Sequence, residues 1–178
     1  MKPSYIMIHH TAVSYDKNKD QFKANNNYHR AQWNFKSSMG FYLGYNYEIA
    51  KNGKVRQARQ DGETTAACYQ SRMNDGRCIH IAIDGNFDIE KPAPTQIFAL
   101  RDLMKQLVAK YSIEKKNIVL HKDYATKSCP GMNIDINFIR SMIYPEAVKE
   151  VEKTVPTLDT KEQIIKLMQD LLALVKKL

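Results

Sequence analysis

The segment His121-Lys-Asp-Tyr-Ala-Thr-Lys-Ser-Cys129-Pro-Gly131 constrains this chain more than any other stretch. It sets a histidine and a cysteine eight positions apart, with a lysine two residues before the cysteine. Imidazole and thiolate are preferred zinc ligands, and a loop of this length can fold both onto one ion. Pro130-Gly131 enforces a sharp turn directly after the sulfur. A third ligand is available far upstream, where the apolar run Tyr5-Ile-Met-Ile ends in His9-His10. Two histidines and one cysteine leave the fourth tetrahedral position open, which is the arrangement of a catalytic rather than a structural zinc. Successive side chains of a strand point to opposite faces, so His9 and His10 cannot both reach one ion from a regular strand. One is a ligand and the other is packed or hydrogen-bonded.

A chain of 178 residues is long enough for one domain with a full core and a short appendage. The formal charge is +8, and it is unevenly placed. Six Lys and six Asp or Glu lie from Pro145 onward, so the whole excess sits in residues 1–144. A basic body implies an anionic partner such as nucleic acid, an acidic membrane or a bacterial wall. The basic residues are scattered and no nucleic-acid motif is present, which argues against a nucleic-acid partner. Three cysteines do not make a disulfide scaffold. Cys68 and Cys78 flank a polar loop and could pair under oxidising conditions, although the unpaired state is the stronger expectation. Met-Lys-Pro-Ser-Tyr runs straight into a strand without the pattern of a secretory signal, which predicts cytoplasmic synthesis. No apolar run reaches the length of a membrane span.

Tyr5–His9 reads as a buried strand, and 20–35 as an irregular amphipathic helix. Residues 37–44 read as an aromatic-rich loop. Asn52-Gly53 between two runs of strand formers predicts a hairpin closed by a type I′ turn, with Tyr45, Tyr47 and Ile49 on one face. Residues 61–77 form a polar loop. Cys78-Ile-His-Ile-Ala-Ile is a second buried strand, on which His80 reads most simply as a satisfied core histidine. Pro94-Thr95 opens the clearest helix, with Thr95 as its cap and an apolar face running to Tyr111. Residues 117–120 form a strand that delivers His121, and 134–143 a closing helix. These elements predict an α/β fold with a single mixed central β-sheet flanked by helices, over residues 1–144. Residues 145–160 read as a charged linker. Residues 161–178 read as an amphipathic C-terminal helix with a seam of Ile164, Met168, Leu171, Val175 and Leu178, suited to self-association. Its balanced charge makes membrane contact the weaker alternative.

Four separated motifs then carry a resemblance: Ile8-His9-His10-Thr11-Ala12, Gly44-Tyr45-Asn46-Tyr47, Asn52-Gly53, and His121 through Cys129-Pro130-Gly131. Over about residues 4–143 the chain resembles the zinc-dependent N-acetylmuramoyl-L-alanine amidases, the type 2 amidase or peptidoglycan-recognition-protein class, and especially the short phage endolysins among them. The resemblance implies zinc held by His9, His121 and Cys129. It implies catalytic roles for Tyr45 and Lys127, and hydrolysis of the amide between N-acetylmuramic acid and L-alanine in peptidoglycan. An enzyme of this kind acts on the bacterial cell wall after release.

Two positions depart from the pattern. Some relatives, notably cytosolic recyclers of wall fragments, carry a glutamate where Ala82 stands here, so no carboxylate is available at that position as general base. Many relatives place a histidine against the substrate in the stretch Thr65-Ala-Ala-Cys68-Tyr69, where Cys68 appears instead. A non-catalytic binding module and a recycling amidase are the alternatives. Receptors of this class typically lose the metal-binding cysteine, which this chain keeps, and Ala82 argues against the recycler.

Overall fold

The computed structural model describes residues 1–145, 165–166 and 168–170. Chain order gives strand β1 (Tyr5–His10), helix α1 (Gln21–Trp33), the hairpin strands β2 (Tyr47–Ile49) and β3 (Val55–Gln57), and the short helix α2 (Ser71–Asn74). Strand β4 (Cys78–Ile83), helix α3 (Pro94–Tyr111), strand β5 (Ile118–Leu120) and helix α4 (Ile136–Ile143) follow. Single 3-10 turns occupy Lys115–Asn117 and His121–Asp123. These elements form one unit, Met1–Pro145. The linker of 145–160 and the C-terminal helix of 161–178 lie outside the described residues apart from 145, 165–166 and 168–170. Among the described residues no helix is long and apolar enough to cross a membrane.

The five strands make the single mixed sheet expected, in the order β3-β2-β4-β1-β5. β1 pairs in parallel with β4 and β5, β2 pairs in parallel with β4, and only the β2–β3 hairpin is antiparallel. β1 and β4 are apolar on both faces because both faces are covered. Ile6, Ile8, Ile79 and Ile81 point to one face, where Leu100, Met104 and Leu107 of α3 and Ile139 of α4 close the main core. Burying each such side chain stabilises the fold by about 1.5–3 kcal/mol. The opposite face carries Met7 with Cys68, Met73 and Cys78, and further along it the polar residues of the site. All three cysteines are free, including the buried pair Cys68 and Cys78.

Two local expectations are corrected. Thr95 does not cap α3. Pro94 takes the first helical position, so the cap falls on Ala93, whose N–H is satisfied by the Gln96 side chain at 3.0 Å. The Thr95 hydroxyl instead donates to the Lys51 carbonyl at 2.7 Å and ties the helix start to the hairpin tip. The hairpin turn is not type I′, which needs a positive φ at both central residues. Only Gly53 has one, at +83°, and its N–H bonds the Ala50 carbonyl at 2.8 Å. Residues 51–53 therefore form a three-residue loop with a glycine bulge, and Asn52 uses its carboxamide oxygen to accept from the Lys54 N–H at 3.0 Å.

Candidate metal centre

The end of β1 sends its two histidines to opposite faces of the sheet. His10 goes to the α3 side, where its Nδ1 accepts the Phe87 N–H at 3.2 Å. His9 goes to the other side, with its ring 4.5 Å from that of His121 and 5.1 Å from that of Tyr45. The His9 Nδ1 lies 3.8 Å from the Cys129 Sγ. One ligand atom from each of His9, His121 and Cys129 falls within 4.8 Å of the others, and all three residues are buried. Tetrahedral zinc with ordinary Zn–N and Zn–S lengths needs its ligand atoms about 3.3–3.6 Å apart, so these residues fit the ion with small adjustments.

Electrostatics favours the same ion. Burial, reinforced by the neighbouring His80 and His121 rings, holds His9 well below the usual imidazole range. Burial and then the Lys127 ammonium lower His121 to about 4. Both rings are therefore neutral at pH 7 and present a lone pair. Burial pushes the Cys129 thiol up to about 11, while the His10 N–H, 3.4 Å from the sulfur, and Lys127 pull in the other direction. The buried sulfur faces two neutral imidazoles and only the exposed Lys127 ammonium, so a divalent cation between the three donors would favour the thiolate strongly.

The loop between the two downstream ligands is tightly pinned. β5 stops at Leu120 because a 3-10 turn begins at His121, and the Asp123 carboxylate accepts the Leu120 N–H at 2.9 Å. The Lys122 N–H bonds the Cys129 carbonyl at 2.7 Å, closing the loop on itself. Lys127 stays exposed between the ligands, at the meeting of two cavities that His121 and Tyr45 also line.

Tyr45 reaches the centre by a route the alternation of its strand does not give. Tyr47 and Ile49 belong to the α3-side core, but Tyr45 packs with Phe22, Leu43 and Ala58 on the other face. The expected common face of Tyr45, Tyr47 and Ile49 is thus corrected. The pleat breaks at Asn46, a fully buried residue outside β2 whose carbonyl accepts from both Ala58 and Arg59, at 2.8 and 3.4 Å. Its side chain accepts the His80 N–H at 2.9 Å and donates to the Gln60 carbonyl at 3.0 Å. Burial first, and then the nearby Cys129 and Glu48, raise the Tyr45 hydroxyl far above its usual range. It remains a neutral phenol with a proton to donate.

The larger cavity, a groove of about 780 Å³, runs from Trp33 and Tyr45 past Cys68 to Tyr124 and Lys127. Its far wall hangs on Asn74, whose Oδ1 accepts from the Thr65 hydroxyl and the Ala67 and Cys68 N–H groups at 3.0–3.1 Å. Behind it the buried Arg59 guanidinium donates to the Leu43, Phe35 and Thr64 carbonyls at 2.6, 2.5 and 3.2 Å. Sequence reasoning missed Asn74, Asn46 and Arg59, whose residue types carry no periodic signal. His80 is the satisfied core histidine expected, fully buried with both ring nitrogens partnered, and the partner of its Nδ1 at 2.9 Å is the His9 Nε2. Glu48 was missed as well. It stands in register with Ala82, which stands in register with His9, so the three share a row and a face. Its carboxylate accepts from the Asn25 amide at 2.7 Å, one strand further from the metal ligands than Ala82.

A mixed sheet with helices on both faces and a two-histidine, one-cysteine centre at the end of its N-terminal strand defines the type 2 amidase and peptidoglycan-recognition class. The chain belongs to the family described as N-acetylmuramoyl-L-alanine amidase, whose profile matches residues 1–132. Among solved structures it is similar to the N-acetylmuramoyl-L-alanine amidase LysC from Clostridium intestinale, with 26% identity and a TM-score of 0.66 over 82% of this chain and 87% of that one. It is also similar to the endolysin amidase LysCS from the same organism, with 28% identity and a TM-score of 0.65 over 82% and 86% of the two chains. Peptidoglycan-recognition protein SC1a of Drosophila melanogaster is 29% identical over 137 residues, 74% of this chain and 69% of that protein.

Proposed function

We propose that this chain is a zinc-dependent hydrolase that cleaves the amide between N-acetylmuramic acid and L-alanine in peptidoglycan, in the manner of a phage endolysin. The observation that carries the reading is the convergence of His9, His121 and Cys129, with ligand atoms within 4.8 Å, beside cavities that Tyr45 and Lys127 line. His9, His121 and Cys129 would hold the zinc, which when bound would supply the Lewis acidity that polarises an amide carbonyl and makes hydroxide available near neutral pH. The Lys127 ammonium stabilises the negative charge that develops on the carbonyl oxygen. Tyr45, a protonated phenol beside His9, orients the water or passes a proton toward the leaving nitrogen. Ala82 leaves that row without a carboxylate near the ligands, so proton handling falls to Tyr45. The positive body suits a polymeric anionic wall.

The relatives named as amidases and those named as recognition proteins support one ligand class, and digestion of purified cell wall separates the two activities. The full chain is expected to hold one zinc by elemental analysis and to release new L-alanine amino termini without new reducing sugar ends. Wall binding without new termini would make the chain a recognition module. New reducing ends would make it a glycosidase.

A further inference from the structure

We propose that His80 is a positioning residue that fixes the tautomer of His9, so that His9 meets the metal through Nδ1. This inference rests on the metal-centre reading of His9, His121 and Cys129, and it concerns the ring behind that centre. The His80 Nε2 lies 2.7 Å from the Met73 carbonyl, and a carbonyl can only accept. The proton of His80 therefore sits on Nε2, and its Nδ1 is a bare acceptor. That acceptor lies 2.9 Å from the His9 Nε2. His9 must then carry its own proton on Nε2, which leaves the lone pair of Nδ1 directed toward Cys129, 3.8 Å away. His80 is fully buried on β4, where the Asn46 side chain accepts its backbone N–H at 2.9 Å and the Met73 carbonyl holds its ring, so the ring has no path to water.

The register makes the contact. Met7 of β1 pairs with His80, and His9 lies two residues further along the same face. The His9 ring leans back diagonally onto His80, 5.1 Å between centroids. A ligand histidine with its second nitrogen bonded to a fixed acceptor is held in orientation and made more basic, and loss of such partners typically weakens metal binding about 10- to 100-fold. Here the acceptor is a second imidazole whose own proton is fixed by the carbonyl of the buried Met73, one residue before Asn74 of the groove wall. The candidate metal site is thereby linked to the end of α2, which also carries Asn74.

Long-range proton–nitrogen NMR on the full zinc-loaded chain is the test. The His9 ring is expected to show a proton on Nε2 and the metal shift on Nδ1. His80→Leu, which removes the acceptor, is expected to weaken zinc about 10- to 100-fold in chelator competition. His80→Asn, which keeps an acceptor oxygen near the Nδ1 position, is expected to recover most of that loss. Zinc bound through the His9 Nε2, or His80→Leu binding zinc as tightly as the wild type, would overturn the proposal. If His80→Leu does not fold, the wild-type spectrum still decides. A wild-type chain that takes up no zinc would overturn the metal reading instead, and the metal-free chain would still report which His9 nitrogen carries the proton.

Discussion

Gly131 lies so close to the Phe87 backbone that a Cβ at 131 would sit 2.4 Å from the Phe87 carbonyl carbon. Its φ of +101° is also one that side-chain-bearing residues rarely adopt. The glycine lets the turn after Cys129 press against the loop that follows β4, where Phe87 donates to His10. Gly131→Ala is therefore expected to lower stability by about 1–3 kcal/mol from backbone strain alone, and more from the clash. It should also loosen the zinc. Chemical denaturation and chelator competition measure the two effects, and a variant with unchanged stability would contradict the packing.

The two histidines of β1 should separate cleanly. His9→Ala and Cys129→Ser are expected to lose zinc and hydrolysis together, because each removes a donor from the set. His10→Ala should keep the metal but lose about 1–3 kcal/mol of stability, since the buried Phe87 N–H loses its acceptor. Elemental analysis of the three variants decides. Retention of zinc by His9→Ala with its loss from His10→Ala would reverse the assignment.

Tyr45 and Lys127 face the centre without belonging to the donor set. Tyr45→Phe and Lys127→Ala should retain zinc and lower turnover by about two to four orders of magnitude, the range for a lost proton-transfer or oxyanion group. Wild-type turnover with zinc intact would remove either residue from the mechanism.

Glu48 and Asp84 form a buried carboxyl pair, 1% and 4% exposed, each with one oxygen lacking a partner. Burial raises both above the ordinary carboxylate range, and the Asp84 charge raises Glu48 further while the Glu48 hydrogen bond partly offsets the rise of Asp84, so the folded chain retains a proton that the unfolded chain has released. Folded values above unfolded ones mean that this contribution is complete below about pH 4 and is lost as pH rises through the raised values. Glu48→Gln keeps the acceptor for Asn25 and gives Asp84 a donor without a second charge. The variant should gain stability over the wild type, by about 1–3 kcal/mol near pH 8 and by less near pH 5. Thermal denaturation at both pH values tests this, and an equal difference at the two would refute the shared proton.

The cluster of His9, His121 and Cys129 was legible in the sequence because so few residue types bind zinc, and because His121 and Cys129 belong to one short loop whose turn is written in Pro130-Gly131. The buried strands were legible for a similar reason: Tyr5–His10 and Cys78–Ile83 are apolar on both faces, which only a covered sheet can use. Alternation alone said that His9 and His10 diverge, but not which of them faces His121 and Cys129. That choice, like the contact of His9 with His80 and the row of His9, Ala82 and Glu48, depends on the register of strands far apart in the chain, with Ala82 paired to both His9 and Glu48. Tyr45 illustrates the same limit on a smaller scale. Its face is set by the break at Asn46, and that break exists because the buried Asn46 side chain bonds β4 and the segment after β3. Local patterns record which side chains must be buried or bind a metal. Which of them meet is decided by pairing between distant strands, whose energy lies in contacts that no short stretch of sequence contains.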